Sequence, residues 1–251
     1  MMRFLDTVMG IPMSLDIRDA GDHHAAAKEA FALLHEADAI FSPYLPGSQL
    51  SRLNRGELTL ETTGPAFLEV HELAARFAAV SGGVFSLQAA PGRWDLNGIV
   101  KGWATQRAAQ RLRVLGVANF VLNAGGDVVA AGGSGPGTAW NVGIRSPESP
   151  QRMMAVLALR DMAVATSATY ERGLHIVDGR TGRPARAFAS VSVVAADLTV
   201  ADVLATTVFA MGPDGPRWAA ERYDCSVLAQ LADGTVTDAG ELRRWLAPAP
   251  R

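Results

Sequence analysis

The chain has a single cysteine, Cys225, among 251 residues. An intrachain disulfide and a Cys/His zinc cluster are therefore excluded, and the plain reading of Cys225 is a small buried hydrophobe. A basic block is also missing. The 23 basic side chains are set against 25 acidic ones, for a formal charge of −2. A nucleic-acid partner, which demands a concentrated Lys/Arg face, is not expected. Long apolar runs are absent too: no stretch reaches the roughly 20 uninterrupted apolar residues of a membrane span. The opening MMRFLDTVMGIPMSLDIRDAGDHH contains Asp6 and Asp16 and does not read as a signal peptide. With no N-terminal cysteine to acylate, the cytoplasm is the expected location of the chain as written.

Apolar residues are plentiful, at 49% against 19% charged, which is a globular and not a disordered composition. The length can bury a real core. No linker divides it, so one domain over 1–251 is expected, with a Pro-rich tail from about residue 247.

Residues 12–18 alternate like a strand. Ala27, Ala30, Phe31, Leu34, Ala37 and Phe41 fall at helical spacing and predict a helix over 23–41. Pro65, a favoured first-turn residue, opens a second over 65–80, closed by Gly82-Gly83. A third is expected over 101–115 and a fourth over 201–211. Short strands are predicted at 119–123, 127–131, 140–145, 153–159, 162–166, 174–178 and 190–195, and a last helix and strand pair follow. Strands come in groups with helices between groups. This favours an α+β fold with mixed or antiparallel sheets and flanking helices over regular βαβ alternation.

Four segments can carry chemistry. In Asp95-Leu96-Asn97-Gly98-Ile99-Val100-Lys101-Gly102 a strand end runs through a glycine turn into a helix expected to start near Lys101. Amides at a helix start attract phosphate and a lysine adds a point charge, although glycine turns before helices are common and the Walker A spacing is absent. Asn123-Ala124-Gly125-Gly126-Asp127 allows close approach of a ligand to backbone, or is simply a tight strand-to-strand turn. Asp202 and Thr206, four apart, share one face of a largely apolar helix. A carboxylate and a hydroxyl suit Mg²⁺; alternatively Asp202 is an N-cap and Thr206 bonds back to the preceding turn. His175 alternates on a strand leading into a polar loop, where a histidine is either structural or catalytic. His23, His24, His35 and His71 fall on predicted helices and read as surface or packing residues.

Taken in order, these segments resemble the ApbE family of FAD:protein FMN transferases. The matching stretches are Val8-Met9-Gly10, Phe41 to Ser48 with Ser51 to Asn54, Asp95 to Gly102, and Leu122 to Asp127. Trp140 to Ile144, Ala165-Thr166-Ser167 with Tyr170, His175 to Pro184, and Ala201 to Met211 follow. The resemblance implies FAD as substrate and Mg²⁺ as cofactor. It also implies an acceptor flavoprotein carrying a Thr or Ser flavinylation site as partner. It places Met9, Tyr44, Asp95 and Lys101, with the Gly125-Gly126-Asp127 turn, at the FAD. Asp202 and Thr206 match the metal ligands, joined by the carbonyls of Gly98 and Ala205, and His175 matches the catalytic base. Three departures stand out: Phe85 is followed by Ser86 and a short connector where the family has Phe-Asp and a long insert, Thr-Ser-Gly is Thr166-Ser167-Ala168, and the usual Asp-Pro is Asp178-Gly179. An FAD pyrophosphatase and a non-catalytic FAD-binding protein are the alternatives.

Overall fold

The computed structural model describes residues 1–90, 92–149, 151–169 and 176–248. Strands β1 (Met2–Val8) and β2 (Ile11–Ile17) form a hairpin, followed by helices α1 (His24–Phe41), α2 (Gln49–Asn54) and α3 (Pro65–Val80). A small ribbon, β3 (Gln88–Ala90) with β4 (Arg93–Trp94), leads into α4 (Asn97–Val114). Then come β5 (Phe120–Ala124), β6 (Asp127–Ala131), the ribbon of β7 (Trp140–Arg145) and β8 (Met153–Leu159), and β9 (Met162–Ala168). The chain continues through β10 (Val177–Asp178), β11 (Arg183–Pro184), β12 (Phe188–Ala195), α5 (Leu198–Met211), α6 (Gly215–Arg222), β13 (Cys225–Leu231) and β14 (Val236–Ala239).

Eight strands form the main sheet, in the order β1-β2-β5-β6-β9-β12-β13-β14, and every neighbouring pair is antiparallel. Alternation sends successive side chains to opposite faces. On one face Leu15, Leu122, Val129, Ala165 and Val193 pack under the helices. On the other, Val128, Val164, Val194 and Leu228 meet Trp140, Ile144 and Leu157 of the β7–β8 ribbon. The central strands are covered on both sides, which is why FASVSVVA of β12 is buried at every residue but Ala189. Helix α4 is buried nearly all round, including Thr105 and Gln106, because it lies in the middle of the helical layer.

The α+β architecture agrees with the sequence pattern. Helices α1 and α3 fall within a residue of expectation. Helix α4 starts at Asn97 rather than near Lys101: Asp95 Oδ1 accepts the Asn97 amide at 2.9 Å, and Leu96 O accepts from Ile99 and Val100, so the weak helix formers Asn97 and Gly98 are drawn into the first turn. Helix α5 starts at Leu198 because Asp197 caps it, accepting from Thr199 N at 2.7 Å and Val200 N at 3.2 Å. Strand β1 is not signalled by the sequence, since Leu5 is 72% exposed and blurs the alternation. The short helix α2 is also unsignalled, although Ser48 caps it through the Ser51 amide.

Candidate active site

Two tight hairpin turns lie side by side at one end of the sheet. Met9-Gly10 joins β1 to β2 across the Val8–Ile11 pair, and Gly125-Gly126 joins β5 to β6 across Ala124–Asp127. All four residues have positive φ, as two-residue hairpin turns of this twist require. Three are glycine. Met9, with φ 54°, is the exception, and a bulky side chain in that region is strained. The turns touch: Gly125 N donates to Pro12 O at 3.2 Å, and a Cβ on Gly125 would lie 2.8 Å from Ile11 Cδ1.

Immediately after the second turn, Asp127 points to the helical face and is buried, its side chain 2% exposed. Its Oδ1 accepts the Thr166 amide of β9 at 3.0 Å, and its Oδ2 lies 2.5 Å from Lys101 Nζ. Lys101 stands in the second turn of α4. Its Nζ is also 3.9 Å from Oδ1 of Asp202, a buried residue of α5 whose Oδ2 accepts the Gly102 amide at 2.8 Å. Burial pushes the Asp202 carboxyl up to about 7; the Lys101 charge opposes this, the Asp127 charge adds to it, and the Gly102 amide opposes it.

The helices that carry these groups run antiparallel, and glycines let them close. Leu198 N donates to Gln106 Oε1 at 3.0 Å; Gly102 faces Leu198 and Asp202; Gly98 faces Thr206. A Cβ on Gly102 would sit 2.6 Å from Asp202 Cβ, and one on Gly98 would sit 3.5 Å from Thr206 Cγ2 and 3.0 Å from the Phe85 ring. Thr206 Oγ1 is 3.3 Å from Ser167 Oγ on β9. Four hard-oxygen or ammonium side chains from three elements thus converge with Asp127 at one sheet end.

The N-cap alternative for Asp202 is overturned, since Asp197 holds that role. The residue that bonds back within α5 is Thr207, to Val203 O at 2.7 Å, and not Thr206. Ala205 is fully buried beside Thr206. Asp95 accepts the Asn97 amide just ahead of α4, and Tyr44, in the loop after α1, is 83% exposed. His175 and Tyr170 lie outside the described residues. Ser167 stands in the stretch Ala165-Thr166-Ser167 but is given no role there; the signal for one is its place on β9, one step beyond Ala163 and Ala165 on the helical face.

Two of the departures from the family pattern meet in space. Gly179 N donates to Val84 O at 2.9 Å, and a Cβ on Gly179 would lie 2.8 Å from Ser86 Cβ and clash with Gly83 O. Neither proline nor a longer side chain fits at 179 beside this form of the 83–86 segment.

A hard divalent cation fits this donor set. With Asp202 ionised, two buried carboxylates face one ammonium and leave a net negative charge, and Thr206, one turn along α5 from Asp202, adds a hydroxyl paired with that of Ser167.

This fold, an antiparallel sheet with helices on one face and a ribbon on the other, is shared with solved flavin transferases. The flavin transferase ApbE from Vibrio cholerae superposes with a TM-score of 0.85 at 22% identity, over 98% of this chain and 99% of that one. The ApbE protein from Thermotoga maritima gives 0.88 at 21% identity, over 98% and 99%. The sequence profile of the ApbE family matches residues 9–93 and 88–229, and the chain belongs to that family. An FAD:protein FMN transferase of Rhodobacter capsulatus is 37% identical over 161 residues, which cover 61% of this chain and 31% of that protein. One from Haemophilus influenzae is 31% identical over 156 residues, 57% of this chain and 45% of that protein. The chain thus spans less than half the length of these curated relatives. Among the described residues no helix is long and apolar enough to cross a membrane.

Proposed function

We propose that this chain is an FAD:protein FMN transferase. It cleaves the FAD pyrophosphate, moves the FMN half onto a Thr or Ser hydroxyl of an acceptor flavoprotein and releases AMP. The observation that supports this reading best is the convergence of Lys101, Asp202, Thr206 and Ser167 at one sheet end, in a chain of the ApbE family. Asp202 and Thr206, with the carbonyls of Gly98 and Ala205, would hold Mg²⁺. Bound there, the ion would supply the positive charge that a pyrophosphate and a departing phosphate need.

The chain's own groups do the rest. Lys101 presents its ammonium to the phosphates, steadied by Asp127. The Met9-Gly10 and Gly125-Gly126 turns offer backbone to the dinucleotide, with Tyr44 and Asp95 as further FAD contacts. The acceptor hydroxyl is a poor nucleophile while protonated, and His175 is the candidate base, since an imidazole titrates near working pH. The hydroxyl oxygen bonds to the FMN-side phosphorus, the pyrophosphate P–O bond breaks, and AMP leaves with the electron pair.

The test is to incubate the protein with FAD, Mg²⁺ and a candidate acceptor and to weigh the acceptor by mass spectrometry. A gain of FMN less one water, lost when the acceptor hydroxyl is replaced by Ala or Val, is expected. Free FMN and AMP without any adduct would make the protein an FAD pyrophosphatase. FAD binding with neither product would make it a flavin carrier.

A further inference from the structure

We propose that Asp127 is a positioning residue: it holds the Lys101 ammonium away from Asp202 and so keeps Asp202 open to a divalent cation. This rests on the reading of Asp202 and Thr206 as the metal site. The two carboxylates are built alike. Each has one oxygen fixed by a backbone amide, Asp127 Oδ1 by Thr166 N at 3.0 Å and Asp202 Oδ2 by Gly102 N at 2.8 Å. Each turns its other oxygen toward the same Lys101 Nζ. The distances are unequal, 2.5 Å to Asp127 and 3.9 Å to Asp202.

The asymmetry has a cause in the chain. Asp127 is the first residue of β6, directly behind the Gly125-Gly126 turn, and its side chain completes the β6–β9 ladder. It cannot follow the lysine; the lysine, on a four-carbon stem, comes to it. Asp202 Oδ1 is then left 3.9 Å from Lys101 Nζ, an ion pair beyond hydrogen-bond distance.

Charge points the same way. With Asp202 ionised, two carboxylates, both buried, and one ammonium sum to −1, and that sign favours a divalent cation. Replacing Asp127 by Asn keeps its volume and an oxygen for the Thr166 amide but brings the sum to zero. It also removes the charge that draws Lys101 from Asp202, so that the ammonium leans toward Asp202 and competes with the metal.

The experiment measures Mn²⁺ binding by electron paramagnetic resonance without FAD, with Mg²⁺ as competitor, on protein whose fold is checked by thermal melting. The wild type should bind, Asp127→Asn should bind at least tenfold more weakly, and Asp127→Asn/Lys101→Met should recover most of the loss. A merely structural role for Asp127 gives no such recovery. Equal binding by wild type and Asp127→Asn, or no recovery in the double variant, overturns the proposal while leaving the metal site standing. Failure of the wild type to bind Mn²⁺ removes the metal site itself, and the proposal with it. If Asp127→Asn does not fold, Asp127→Ser, with and without Lys101→Met, takes its place: weaker binding that the second substitution restores supports the proposal, and unchanged binding or no recovery overturns it.

Discussion

The Gly102 amide donates to Oδ2 of Asp202 at 2.8 Å, and a β-carbon at position 102 would lie 2.6 Å from Asp202 Cβ and 2.7 Å from Leu198 O. The bond and the close approach have one origin, since only a residue without a side chain lets the amide of α4 reach a carboxylate on α5. In an exposed helix, Gly→Ala stabilises by about 1 kcal/mol. Here the sign should reverse. Gly102→Ala forces two backbones apart, and overpacking of this kind costs roughly 1–3 kcal/mol. Chemical denaturation should show a net loss of stability. Gly98→Ala meets the edge of the Phe85 ring at 3.0 Å, a longer approach and to a side chain rather than backbone, and should lose less. Equal stability of Gly102→Ala and wild type would mean that the helices do not cross so closely.

The buried Asp202 makes the fold sensitive to pH in an unusual direction. In the unfolded chain its carboxyl titrates near 4; in the folded metal-free protein, burial holds it up to about 7. Between those values the native state keeps a proton that the unfolded state has released. Stability therefore falls as pH rises through that window and levels off above it, at roughly 1.4 kcal/mol per unit before relaxation is allowed for. Below the window the slope inverts, because carboxylates such as Asp178, held low by Arg180, become protonated. Melts of the metal-free protein should be highest near the acid end of the window, and Asp202→Asn should flatten the decline. A wild-type melting temperature that climbs from pH 4.5 to 7 would contradict the burial of a raised Asp202.

Much of the architecture was legible because its signals are local. The apolar stripe of α1, Pro65 at the start of α3 and the alternating strands each sit within one segment of chain. The site was legible only in pieces. Asp202 and Thr206 announce themselves by four-residue spacing, but Lys101, Asp127 and Asp202 meet through a sheet register and a helix crossing that no segment contains. Gly102 reads as a helix-weakening residue until α5 is laid against it, and Ser167 as one polar residue in a small-residue strand until Thr206 stands opposite. The N-cap alternative for Asp202 survived in the sequence because Asp197, the residue that takes the role, also precedes the same helix.

If the proposed roles hold, the variants of Asp202 and His175 should fail differently. Asp202→Ala removes the only carboxylate among the proposed metal ligands, so turnover should vanish while FAD still binds, as followed by flavin fluorescence. His175→Ala should leave FAD and Mn²⁺ binding intact and lower the rate about 10²–10⁴-fold, the usual range for loss of a general base. Wild-type turnover by His175→Ala would place the base elsewhere.

Met9 tests whether a strained residue is kept for the fold or for the ligand. Its φ of 54° is one that glycine adopts freely, and Gly10, next in the same turn, has φ 71°. A left-handed non-glycine residue costs roughly 1–2 kcal/mol. The Met9 side chain is half-buried and packs on the rim of the main core, so it contributes some stability in return. Met9→Gly relieves the strain, loses that packing and adds freedom to the unfolded chain, worth about 0.5–1 kcal/mol. These effects oppose one another, and the net change should stay within about 1 kcal/mol. Nothing in the turn itself then requires methionine. On the proposed reading the side chain is retained to cover the flavin dinucleotide beside Gly125-Gly126, and Met9→Gly should weaken FAD binding about tenfold while melting close to wild type. Met9→Asn, which tolerates the same φ, should behave alike. A large loss of stability with unchanged FAD affinity would make Met9 a packing residue, and the strain of its turn would need another cause.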